Sequence, residues 1–317
     1  MPNPTSSLRF PWRLILAGLV LAGLLVWLIK WPAGKKHSAS SQSWAGFNRR
    51  QAVRIEVNRP GHPAVVLEKQ HGAWWLTQPY AAPADQSTVK NLLGELSRIV
   101  PDRKLGAAGN LAAYGLDHPP SLVVHLAGGR SLQFEFGNPA PTGEGDYMKL
   151  ASAPEVVLAP DYVKADSLHG AFNFEDKTLL HFTSNDVTAL AIVNHGRRAR
   201  FQRVKGQWPS AQASDISDLL DSLQNAAMNS IADQSGKDPA RYGLASPAIR
   251  VRLSWKGGGG TLDVGKKTKT GDYYARSSAR PAIVTISSYL LDDLRKLAKA
   301  PAKAKPAHRP PHAAAHP

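Results

Sequence analysis

The chain has 317 residues, with 39 Lys+Arg against 24 Asp+Glu and no cysteine. That is enough for two ordinary domains, and the missing thiols exclude disulfide frameworks, cysteine nucleophiles, iron–sulfur clusters and cysteine-bound zinc. The formal charge of +15 sits at the ends: residues 1–50 carry seven Lys/Arg and residues 295–317 carry six, with no acid in either, which leaves 26 basic against 24 acidic residues between them. A nucleic-acid-reading domain would carry its charge on the fold itself, so no nucleic-acid partner is expected.

Behind a short tail, 1–13, the uncharged run from Leu14 to Ile29 is 16 residues long, ended by Arg13 and Lys30 and bracketed by Trp12, Trp27 and Trp31. At about 1.5 Å per residue the run alone falls short of a ~30 Å hydrocarbon core. Snorkelling of Arg13 and Lys30 and interfacial tryptophans lengthen it, so residues 14–31 are expected to form a single transmembrane helix in contact with membrane lipid. A cleaved signal peptide ending near Ser38-Ala39-Ser40 is the alternative; the length of the run and the lysines Lys30, Lys35 and Lys36 ahead of that site weigh against it. Arg9, Arg13 and the amino terminus balance Lys30, Lys35 and Lys36, so charge leaves orientation open. A short tail ahead of a first helix usually stays inside, which places the body outside the cytoplasmic membrane.

After a juxtamembrane linker, 32–50, the body reads as one unit used twice, over 51–170 and 171–297. Tyr114-Gly115-Leu116 recurs as Tyr242-Gly243-Leu244, and Gly72 and Trp74 recur as Gly206 and Trp208. Val89, Leu92, Leu93 and Leu96 align with Ile216, Leu219, Leu220 and Leu223; Leu122, Val124 and Leu126 with Ile249, Val251 and Leu253. Phe134, Phe136 and Gly137 align with Leu262, Val264 and Gly265, and Gly145-Asp146-Tyr147 with Gly271-Asp272-Tyr273.

Each unit opens on strands with period-two apolar spacing, Val53-Ile55-Val57 and Val65-Leu67 in the first, Leu190-Ile192 and Phe201 in the second. A helix follows with one apolar stripe, capped by Asp85 in the first unit and by Ser214 or Asp215 in the second. The Tyr-Gly-Leu segment turns the chain into strands joined at Gly128-Gly129 and at Gly257 to Gly260, where glycine tolerates positive φ. A further strand pair and a short helix, Asp161 to Leu168 or Tyr289 to Leu297, close each unit. The expected class is α+β: tandem units of mainly antiparallel sheet with helices on one face, preceded by the membrane helix.

These residues carry a resemblance. Gly72-x-Trp74-x-Leu76-x-x-Pro79, Ala84-Asp85 leading into its helix, Tyr114-Gly115-Leu116-Asp117-x-Pro119, Phe136-Gly137, Asp146-Tyr147-Met148 and the bridging stretch Phe174-Glu175-Asp176-Lys177-Thr178-Leu179-Leu180-x-Phe182 resemble the bacterial "domain of unknown function 4340" family over nearly all of 50–295. The resemblance implies a membrane-anchored envelope protein, often encoded with ABC-type transporter and gliding-motility-type components, and supplies no catalytic residues. Its implied partner is an inner-membrane complex containing an ABC-type permease or ATPase. The second unit departs from the pattern: Pro209 follows Trp208 directly, and Ala245 replaces the aspartate, which makes the second unit the weaker candidate for binding.

Three near-motifs bear on chemistry. Ser87-Thr88-Val89-Lys90 and Lys269-Thr270-Gly271 have the order of a penicillin-binding acyl-enzyme, in which Ser87 would be the nucleophile and Lys90 its activator. The two lie in different units and no S-x-N motif lies between, so this enzyme reading is the alternative and not the main one. Gly260-x4-Gly265-Lys266-Lys267 approaches a phosphate-binding loop, but its spacer alternates as a strand with no helix after it. His308, His312 and His316 have helical metal-ligand spacing that Pro306, Pro310 and Pro311 forbid. No metal and no cofactor is expected. Trp74, Tyr114 and Asp117 are the weak binding candidates, and the favoured reading of each is as core aromatic or turn residue. The Ala/Lys/Pro/His segment 298–317 cannot bury a core, and its charges suit an anionic lipid or an anionic wall polymer. The expectation is a non-enzymatic binding or assembly subunit.

Overall fold

The computed structural model describes residues 44–298. The membrane helix expected at 14–31, the segment 1–13, most of the linker at 32–50 and residues 299–317 lie outside the described residues. Among the described residues no helix is long and apolar enough to cross a membrane.

The first copy runs β1 (Ala52–Asn58), β2 (Val65–Gln70), β3 (Ala73–Gln78), β4 (Ala82–Pro83), α1 (Gln86–Arg98), β5 (Arg103–Ala107), β6 (Ser121–Leu126), β7 (Ser131–Pro139), β8 (Asp146–Leu150), β9 (Glu155–Ala159) and α2 (Asp161–Ser167). A short α3 (Ala171–Phe174) leads on to β10 (Val187–Asn194), β11 (Arg197–Gln202), α4 (Ala213–Gln224), β12 (Ser230–Asp233), β13 (Ile249–Trp255), β14 (Gly258–Lys267), β15 (Tyr273–Ser277), β16 (Ile283–Ile286) and α5 (Tyr289–Ala298). The fold is α+β with antiparallel sheets. It divides into two compact units, one holding Asn91–Ser167 with the residues up to Ala52, the other Val53–Lys90 with the residues from Leu168 onward.

Duplication is written into the strand order. The hairpin β1–β2, with Ile55 opposite Leu67, returns as β10–β11, with Leu190 opposite Phe201. The antiparallel run β6-β7-β8-β9-β5 returns as β13-β14-β15-β16-β12. Both copies also bulge at one place, between Phe136 and Pro139 on β7 and between Val264 and Lys267 on β14.

The period-two pattern predicts the buried rows. Ile55, Val57, Leu67 and Leu76 are buried on one side of β1–β3, and Leu122, Val124, Phe134 and Phe136 on β6–β7. In the second copy one core holds the α4 stripe Ile216, Leu219, Leu220 and Leu223, the α5 stripe Leu290, Leu291, Leu294 and Leu297, and Ile192, Val251, Leu253, Leu262 and Val264 from the sheet. Each such leucine contributes roughly 1.5–3 kcal/mol by leaving water.

Four local expectations shift. Asp85 caps α1 as expected, its Oδ1 accepting from the Ser87 and Thr88 amides at 2.8 and 3.0 Å. The second helix instead starts at Ala213 after Gln212, so Ser214 and Asp215 lie inside its first turn. Only Gly257, at φ 79°, serves the β13–β14 turn, and Gly258 to Gly260 are strand residues. Pairing of Phe136 with Met148 and of Val264 with Ala275 makes Tyr147 the counterpart of Tyr274, not of Tyr273. Pairing of Leu122 with Phe134 and of Val251 with Leu262 likewise moves that strand's alignment by two residues.

The copies differ at one edge. Beyond β2 the first copy adds β3 and β4. Beyond β11 the second has only a bridge between Val204 and Gln207, leaving β11 as the edge of its seven-stranded sheet. This is the stretch in which Trp208-Pro209 replaces the longer motif, since proline removes a ladder donor.

Candidate functional site

Trp74 lies on β3 and is 7% exposed. Its backbone is clamped by one side chain: its amide donates to Gln86 Oε1 at 2.8 Å, and Gln86 Nε2 donates back to its carbonyl at 2.9 Å. Trp74 therefore packs the core and secures the start of α1. Asp117 lies in the turn after Tyr-Gly-Leu and is exposed.

The Tyr-Gly-Leu segment forms the same interlock twice. Tyr114 ends a short 3-10 helix, Ala112–Tyr114, and Gly115 reverses the chain at φ 66°. The Tyr114 ring meets Tyr147 edge-on at 4.8 Å, and Tyr242 meets Tyr274 in the same way at 4.9 Å. Beneath each tyrosine the bulged strand carries a glycine. A Cβ on Gly137 would stand 2.2 Å from the Tyr114 carbonyl oxygen, and one on Gly265 would stand 2.2 Å from that of Tyr242. In the second copy that carbonyl accepts from the Lys266 amide at 2.9 Å. Leu116 and Leu244 are buried beside these glycines. The repeated signature thus holds a turn against a strand in both copies.

Ser87 is exposed on the first turn of α1, as is Lys90 further along it, and Lys269 is exposed in the β14–β15 connection. The phosphate-loop-like stretch is strand β14, as its alternation predicts. Among the described residues no three His, Asp or Glu side chains gather as a metal site.

Sequence reasoning missed a buried polar cluster centred on Glu175, in the stretch that bridges the copies. Glu175 Oε2 accepts from the Tyr80 hydroxyl at 2.9 Å and Oε1 from Arg280 Nη1 at 2.8 Å. Arg280 Nη2 donates to the carbonyls of Asp176 and Thr178 at 2.7 and 2.9 Å. The Arg280 and Glu175 side chains are 9% and 2% exposed. Burial pushes the Glu175 carboxyl above its usual range, against the opposing pull of the Tyr80 hydrogen bond and the Arg280 charge. Burial, then the bond to Glu175, pushes the Tyr80 phenol up as well. Backbone bonds fasten the same stretch to β4, from the Asp176 amide to the Pro83 carbonyl and from the Asp85 amide to that of Phe174. The Tyr80 hydroxyl and both terminal nitrogens of Arg280 are directed at protein acceptors, which makes the cluster a clasp, while the buried Arg280 Nε has no partner.

The second copy also holds an open cavity of about 500 Å³ between the Tyr-Gly-Leu turn, the ends of β13 and β14, and α5. His195, Lys266 and Arg295 are its basic side chains, Ser246 and Tyr273 bring hydroxyls, Leu291 lies on its floor, and no carboxylate lines it. Arg295 Nη2 donates to the Tyr273 hydroxyl at 3.2 Å, and Nη1 reaches the exposed Asp292 at 3.4 Å.

A scan against protein families matched one description, domain of unknown function (DUF4340), twice, over residues 74–215 and 205–305. The chain belongs to this family. It carries the DUF4340 unit in tandem, and no curated protein and no solved structure matches it. The two DUF4340 copies treat the cavity differently. In the first copy Lys164 stands where the second has Leu291; its Nζ donates to the Gly137 carbonyl at 2.6 Å and to Asp146 Oδ1 at 3.3 Å. Tyr273 occupies the place of Asp146 in the second copy. The first copy fills the space with its own ion pair, and the open cavity belongs to the copy whose motif departs further from the family pattern.

Proposed function

We propose that the protein is a non-enzymatic binding or assembly subunit, anchored by a membrane helix at 14–31, with two DUF4340 copies outside the cytoplasmic membrane and helices on one face of each sheet. One observation carries the reading. The residues that recur in both copies, Tyr114 and Tyr242, Gly137 and Gly265, Leu116 and Leu244, are all engaged in packing, so the unit was duplicated as a scaffold and its repeated residues supply no reactive group. An inner-membrane complex with an ABC-type permease or ATPase is the partner that the family resemblance supplies.

Affinity capture of the full-length chain from membranes after mild cross-linking tests this. Recovery of an integral-membrane permease or its ATPase is the expected result, and recovery of the chain alone would sink the assembly role. A phosphatase fused after Pro317 should be active, as expected of a body outside the membrane.

A further inference from the structure

The outward face of the second copy's sheet carries arginine in a regular array. Arg198 and Arg200 on β11 and Arg250 and Arg252 on β13 flank β10, whose residues on that face are Ala189, Ala191 and Val193. Register fixes the array: Ala191 stands between Arg200 and Arg252, and Val193 between Arg198 and Arg250. At about 3.3–3.4 Å per residue and about 4.8 Å between strands, the four side chains leave the sheet roughly 7 Å apart along a strand and roughly 10 Å apart across β10. The result is a trough with two arginine walls and a floor of small side chains. Two shallow depressions of about 270 and 190 Å³ lie along it.

Among the described residues, nothing neutralises most of this charge. Arg250 holds Asp263 through Nε at 2.6 Å and Nη2 at 3.0 Å. The side chains of Arg198, Arg200 and Arg252 make no hydrogen bond or ion pair among the described residues, and all three residues are exposed. The corresponding hairpin of the first copy shows that the fold does not require it. There Arg54 pairs with both Glu56 and Glu68, and Val66 stands at the position of Arg200. The second copy has replaced a self-neutralised face by one on which three of four arginines are unpaired, at a cost in like-charge repulsion.

We infer that this trough binds a linear polyanion that carries phosphate groups. Arginine's planar fork grips phosphate oxygens in pairs, which a lysine ammonium cannot do. The trough shape favours a chain over a flat bilayer, because a plane of headgroups would rest on the arginine tips and leave the Ala189–Ala191–Val193 floor empty. Ala189, Ala191 and Val193 between the arginines offer bases nothing to stack on, and Tyr274 further across the same face is packed against Tyr242, so the phosphates themselves are what is recognised. The inference goes beyond the assembly role and does not depend on it.

The probe is inorganic polyphosphate bound to the full-length chain, with affinity measured as a function of salt. Phosphate contacts from the three unpaired arginines contribute about −2 to the slope of log K against log salt, taking ~0.7 released ions per contact. Replacing Arg198, Arg200 and Arg252 together by glutamine should weaken binding by more than about tenfold and flatten the slope by about 2. Arg250 is left in place because it holds the buried Asp263. The matched control replaces three exposed lysines elsewhere, Lys69, Lys237 and Lys267, by glutamine and should stay within about threefold of wild type. Thermal melting of both variants verifies folding, and the basic chain ends are common to all three proteins, so their contribution cancels. Equal weakening by the two sets would overturn the inference, since net charge alone would then be responsible. So would tighter, arginine-dependent binding to phosphatidylglycerol vesicles than to polyphosphate.

Discussion

Glu175 shows how a single buried carboxylate can determine a local arrangement. Two charges withdrawn from water cost several kcal/mol each, and here the cost is offset because both carboxylate oxygens and both terminal nitrogens of Arg280 have partners. Arg280→Ala leaves Glu175 buried beside Tyr80 alone and should lower the unfolding free energy by about 3–5 kcal/mol. Tyr80→Phe removes one bond to a charged acceptor and should cost less, about 1.5–3 kcal/mol. Urea denaturation of the two variants checks the ranking; a loss below about 1 kcal/mol for Arg280→Ala would show the clasp to be dispensable. Tyr80 also predicts a pH effect. Its folded-state pKa lies above the unfolded value, so its contribution is fully present below about pH 10 and is lost as pH rises through the folded value. Tyrosinate absorbance of wild type and Tyr80→Phe should therefore superimpose through pH 10 to 11, whereas a missing phenol in that range would place Tyr80 in water.

At the scale of elements, the bulge glycines explain why the Tyr-Gly-Leu signature travels with a Phe-Gly or Val-Gly pair 22 residues later in both copies. Gly137→Ala and Gly265→Ala each force a methyl against a tyrosine carbonyl and should destabilise by about 1–3 kcal/mol through backbone displacement. Gly128→Ala meets open space and is penalised only by its φ of 93°, so it should be the mildest of the three in denaturation. The strands, the two helical stripes and the duplication were legible because each is a local period or a repeated string. The clasp was not, because Glu175 finds Tyr80 and Arg280 at separations of 95 and 105 residues, which no window contains. The register of β6 against β13 was misread since alternating Leu and Val match equally well when slipped by two. The arginine trough had a readable signal, Arg198-x-Arg200 and Arg250-x-Arg252 in period two, which counting charge over the whole body averaged away against acids elsewhere. Trp74, Tyr114 and Asp117 drew notice as repeated or motif residues, and the first two turned out to be packed.

At the scale of the whole molecule, the body's near-neutral balance and its basic ends set up separate tests of attachment. If 14–31 crosses the membrane, alkaline carbonate should leave the full chain in the pellet, and removal of residues 1–43 should release the body into the soluble fraction. We propose the carboxyl-terminal end as a second and weaker tie. Lys299, Lys303, Lys305 and Arg309 are spaced by alanine and proline without an acid, and each is worth about 1 kcal/mol near an anionic surface at low salt. The soluble body with residues 298–317 should therefore bind phosphatidylglycerol liposomes more tightly than the body without them, and the difference should vanish at high salt as screening shortens to a few Å. Equal, salt-insensitive binding of the two would leave those charges without a part in attachment.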